Sequence, residues 1–159
     1  MLILIYVYNL RKWLKSNKIS INANKTELLV FRHPHKVLNY DLFKIKIDGK
    51  KLFPSHYVKY LGILIDSHLK WNYQTDTLAS KLSRAIGMLT KIRHFVSNNT
   101  LRSIYYGIFS SILTYGCQIW GQTQNKNVNC VIKLQDKAIR IINFVQFNAS
   151  TKLLYYNVC

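Results

Sequence analysis

The chain has 159 residues, room for one domain or two small ones, and its 49% hydrophobic content excludes global disorder. Twenty-three basic residues against six acidic ones give a formal net charge of +17. Self-repulsion at that imbalance disfavours a compact isolated state and points to a polyanionic partner, nucleic acid first and an anionic membrane surface second.

The basic residues are spread along the chain, which predicts a basic surface on a folded body rather than a charged arm. Cys117, Cys130 and Cys159 have no metal or disulfide spacing. His33 and His35 have no cysteine nearby, so no zinc site is expected.

Met1 to Tyr8 is apolar, too short to span a bilayer, and lacks a basic leader. It reads as a strand or helix of a larger fold. Residues 9 to 18 read as an amphipathic helix with Leu10, Trp13 and Leu14 inward, ended by Asn17 and the turn formers Asn22 to Asn24. Lys25 to Phe31 reads as a strand, broken at His33-Pro34-His35. Phe43 to Ile47 alternates as a half-exposed strand does, and Asp48-Gly49 signals a hairpin turn. Leu52-Phe53-Pro54 starts the return. Tyr57 to Ile65 is expected to be one strand with Gly62 inside it, as a bulge or a place of close backbone approach.

From Asn72 the period changes. Leu78, Leu82, Ala85, Leu89 and Ile92 recur at helical spacing, with Lys81, Arg84 and Lys91 on another face. Asn98-Asn99-Thr100 is a cap signal for a second helix, with Leu101, Ile104, Tyr105, Ile108, Ile112, Tyr115 and Ile119 as its stripe. Its run from Ser103 to Asn125 is uncharged, but its serines and glutamines favour a buried bundle helix over a membrane span. Gly121 to Asn127 is a polar turn. A third helix runs from Val128 to Phe144, with Val131, Leu134, Ala138, Ile141 and Val145 inward. Lys133, Lys137 and Arg140 fall on another face. Residues 148–159 carry no clear signal. The predicted class is α+β: a small antiparallel sheet with one helix in residues 1–70, a three-helix bundle in 71–147, and a tail.

Four segments in order carry a resemblance. They are Trp13 to Glu27 (WLKSNKISINANKTE), Val58 to Asn72 (VKYLGILIDSHLKWN), Ile104-Tyr105-Tyr106 with Leu113 to Gly121 (LTYGCQIWG), and Leu134 to Ile142 (LQDKAIRII). Together they resemble the reverse transcriptases of non-LTR, LINE-like retrotransposons over roughly residues 10 to 145. The resemblance implies that the first part is the end of the palm, with a primer grip at Tyr60, Leu61 and Gly62. It implies that the helical part is the thumb, which closes over the template–primer.

That family polymerises with two magnesium ions held by aspartates, two of them in a Tyr-x-Asp-Asp turn. The acidic residues here are Glu27, Asp41, Asp48, Asp66, Asp76 and Asp136, with no Asp-Asp pair. The turn would fall upstream of Met1, so the chain is expected to be a C-terminal portion without catalytic residues or a metal of its own. The implied partners are an RNA–DNA hybrid or RNA template–primer and the catalytic part of the polymerase, with no membrane. The implied setting is intracellular, nuclear or cytoplasmic.

Lys25, in Asn-x-x-Lys-Thr-Glu, matches a position where the family brings a cation near the nucleotide triphosphate. Its plain alternative is a solvated turn lysine. Gly62 is equally read as a strand bulge. Lys81, Arg84, Lys91, Lys133, Lys137 and Arg140 are candidate phosphate contacts. A basic helix face is ordinarily only solvated, but the net charge favours contact. Trp71, Trp120, Tyr105 and Tyr115 are expected in the core, and Asp66 as a turn former. Two other readings stay open: a stand-alone basic nucleic-acid-binding module, and a retroelement remnant with exposed apolar faces.

Overall fold

The computed structural model describes residues 2–37, 39, 45–47, 49–122 and 126–156. It is a mixed α and β chain in two compact units that divide between Leu69 and Lys70.

In the first unit, α1 spans Leu2–Ser16 as one helix, joining the two segments that the sequence pattern separates. Asn17 ends it, its side-chain amide donating to the Trp13 carbonyl at 2.8 Å. Leu10 and Trp13 are exposed and only Leu14 is half-buried, contrary to the inward face expected. The strands are short: β1 Leu28–Leu29, β2 Lys46–Ile47, β3 Lys50–Lys51, β4 Pro54–Ser55, β5 Tyr57–Tyr60 and β6 Ile63–Asp66. They form three two-stranded pairs rather than one sheet. β1 pairs with β4 in parallel, while β2–β3 and β5–β6 are antiparallel.

Lys25 lies outside β1, in a turn where its N–H donates to the Asn22 carbonyl at 3.0 Å. The β2–β3 hairpin is where Asp48-Gly49 predicts it, with Gly49 at φ 81°. Phe43, Lys44 and Asp48 lie outside the described residues. Ile45 and Ile47 are buried and Lys46 is exposed, the alternation of a half-buried strand. With Leu52 they form a small core against Ile21, Ala23 and Leu28. Asp66 closes a local turn, its carboxylate accepting from the His68 N–H at 3.0 Å.

The second unit is helical. α2 spans Asn72–Ile92 and buries Leu78, Leu82, Ala85, Ile86 and Leu89, following the predicted stripe. α6, Lys126–Ile142, packs along it and buries Val131, Ala138, Ile139, Ile141 and Ile142. The helix between them departs from expectation. Ser97, not the asparagine cluster, caps α3 (Asn98–Ile104), accepting from the Thr100 N–H. A π-helical turn, Tyr105–Ser110, then leads into α4, Ser111–Thr114. The chain breaks at Tyr115-Gly116, where Gly116 has φ 64°, and resumes as α5, Cys117–Trp120.

The π turn places more residues per turn than an α-helix and shifts the buried face. Leu101, Tyr105 and Phe109 are inward at a spacing of four, and the Tyr105 and Phe109 rings stack at 5.4 Å. Ile108, Tyr115 and Ile119, expected in the stripe, are exposed. Trp71, Trp120 and Tyr105 are buried as expected, whereas Tyr115 is not.

Residues 149–156 lie against α6. A short helix, α7 (Lys152–Tyr156), follows Thr151, and Asp136 gathers it in. The Asp136 carboxylate accepts from the Thr151 hydroxyl at 2.8 Å and from the Tyr155 hydroxyl at 3.0 Å. No helix among the described residues is long and apolar enough to cross a membrane.

Candidate nucleic-acid interface

Tyr60, Leu61 and Gly62 come together at one point, though not as a bulged strand. Tyr60 pairs with Ile63, leaving Leu61 and Gly62 as a two-residue turn. Both have positive φ, 47° and 84°. Two successive positive-φ residues are the type I′ solution, whose twist matches that of the flanking strands. Glycine takes this conformation freely; leucine does so at a cost of about 1 kcal/mol. The result is a tip with Tyr60 64% and Leu61 72% exposed, beside the exposed Lys59. The apolar run on both sides of Gly62 hides the turn from a reading by periodicity. The Leu-Gly pair, one glycine in the second turn position, is the signal that could have found it.

Lys25 is exposed, and a second basic group that the sequence reading missed is near its turn. Lys46, Lys50 and Lys51 are exposed on the β2–β3 hairpin, and the Lys50 ammonium donates to the Asn24 side chain at 3.1 Å. Lys46 and Lys51 are direct cross-strand partners. Like charges so placed destabilise a hairpin unless an anion lies over them. Lys51 also lies over the Phe53 ring at 5.0 Å.

In the second unit, Lys81, Arg84 and Lys91 are exposed along one side of α2. With Gly87 and Met88, and with Ile112 of α4, they line an open trough of about 540 Å³. Its lining combines three basic side chains with the apolar Met88 and Ile112. Gly87 sits within a regular helix, and a Cβ built on it meets nothing within 4 Å. Glycine there costs the helix about 1 kcal/mol relative to alanine. No packing need accounts for it.

Lys133 and Lys137 are exposed on α6. Arg140 differs: its Nε donates to the Ala149 carbonyl at 2.9 Å and its guanidinium lies 5.9 Å from the Phe147 ring centre. It holds the chain after α6 in place. Burial, then the hydrogen bond to Asp136, raises the Tyr155 pKa well above its ordinary range. Among the described residues no three His, Cys, Asp or Glu side chains are grouped to hold a metal ion. The arrangement offers charge and stacking surfaces.

Three curated proteins match the chain. A probable RNA-directed DNA polymerase from transposon BS of Drosophila melanogaster is 29% identical over 140 residues. One from transposon X-element of the same species is 24% identical over 140 residues. The RNA-directed DNA polymerase from mobile element jockey of Drosophila funebris is 26% identical over 141 residues. This chain is similar to the RNA-directed DNA polymerases of non-LTR retrotransposons. The matches cover 86–87% of it but only 15% of each relative's length. No family model and no solved structure matches.

Proposed function

We propose that this chain is the template–primer-binding part of a non-LTR reverse transcriptase, the end of its palm followed by its thumb. In this reading the Tyr60-Leu61-Gly62 tip meets the primer strand. The α2 and α6 lysines contact phosphates without reading sequence. Lys25 stands near the nucleotide in an intact polymerase. The observation that carries the reading is the similarity over 86% of the chain to RNA-directed DNA polymerases, joined to a net charge of +17. Exposed Trp13, Phe31 and Phe53 support a further partner for the first unit, the catalytic part of the same polymerase.

Nucleotidyl transfer in such enzymes uses two magnesium ions held by paired aspartates. The six acidic residues here include no adjacent pair, so the chain binds substrate and does not polymerise by itself. A primer-extension assay with magnesium and deoxynucleotides tests this. The expected result is no product from the chain alone. Magnesium-dependent synthesis by the chain alone would overturn it.

A further inference from the structure

We infer that the trough between α2 and α4 seats the sugar–phosphate backbone of a nucleic-acid strand, with Gly87 as the point of closest approach. This rests on the template–primer reading above and gives it a definite contact. At 3.6 residues per turn, Lys81, Arg84, Gly87, Met88 and Lys91 fall within about 120° of the α2 circumference. From Lys81 to Lys91 is about 15 Å along the axis, roughly four nucleotides of one strand at ~3.4 Å each.

The composition suits that occupant. Met88 and Ile112 give the lining an apolar part suited to the sugars, and Lys81, Arg84 and Lys91 supply cations for the phosphates. Among the described residues no acidic side chain lines the trough. Gly87 is the feature that a merely solvated basic face leaves unexplained. It has ordinary helical backbone, its absent side chain faces open space, and alanine would make a better helix. A gap in the side-chain layer, midway along the basic face and at its edge around the helix, lets a strand reach the helix backbone.

The test measures binding of a short RNA–DNA hybrid duplex to the full chain, for wild type, Gly87→Ala, Gly87→Leu and Lys81→Gln, alongside thermal melting. Gly87→Ala is expected to melt about 2–4 °C higher than wild type yet bind about 5- to 10-fold more weakly. Its salt dependence should be unchanged, because no charge is lost. Gly87→Leu should bind more weakly still. Lys81→Gln should flatten the slope of log affinity against log salt by roughly 0.7–0.9. If the wild type binds the hybrid and both Gly87 variants bind equally well, the trough contact is wrong and the template–primer reading stands. A wild type that does not bind the hybrid removes both.

Discussion

Leu61 and Gly62 together reverse the chain: each takes a positive φ, and the turn they make lets Tyr60 pair with Ile63. Only Gly62 is chemically suited to that conformation. Leu61→Asn should therefore stabilise the hairpin by about 0.5–1 kcal/mol, since asparagine tolerates the left-handed region. Gly62→Val should destabilise it by more than ~1 kcal/mol. Amide hydrogen exchange of residues 57–66 checks both. Equal protection in the two variants would mean that another turn closes the hairpin.

The π turn makes a contrast at adjacent positions. Phe109 is fully buried against Tyr105, while Ile108 is 36% exposed. Phe109→Ala should cost about 3–5 kcal/mol and Ile108→Ala less than about 1 kcal/mol, read by urea denaturation. A regular α-helix through this segment, with Ile108 in the stripe, reverses the order.

Tyr155 and Asp136 tie α7 to α6 and make stability depend on alkaline pH. Burial and the Asp136 hydrogen bond keep the Tyr155 phenol protonated past its ordinary pKa of 10.0. Above that pH the unfolded chain holds fewer protons here than the folded one, so stability falls as pH rises. At neutral pH Tyr155→Phe should cost about 1 kcal/mol through the lost hydrogen bond. The gap to wild type should narrow as pH rises above about 10. A gap independent of pH would remove the linkage.

Lys137 and Arg140 stand one helical turn apart on α6 with different surroundings. Lys137→Gln should weaken hybrid binding and leave unfolding within about 0.5 kcal/mol of wild type. Arg140→Gln should weaken binding and also destabilise by about 1–2 kcal/mol, since its Nε bond to the Ala149 carbonyl anchors the segment after α6. Binding isotherms beside denaturant curves separate the two effects.

Much of the fold was legible where one period runs uninterrupted. The α2 stripe, the α6 stripe and the Asp48-Gly49 turn follow from hydrophobic spacing and turn chemistry. The misses have physical causes. A hairpin tip made of Leu61 is apolar and carries no loop composition. A π turn changes the number of residues per turn, so a stripe counted at 3.6 drifts from Phe109 onto Ile108. The anchoring of α7 depends on Asp136, fifteen residues before Thr151, and no local pattern reveals it. Among the candidate site residues, the exposure of the basic faces could be read from the sequence. Gly87 could not, because what marks it is the empty space beside it.

The decisive measurement is binding of the purified chain to an RNA–DNA hybrid duplex across a salt series, with double-stranded DNA of the same sequence as comparison. A template–primer-binding surface should prefer the hybrid, with affinity falling steeply as salt rises. Equal weak binding to both duplexes, or aggregation without binding, would contradict that function and leave only the generic attraction of a +17 chain for any polyanion.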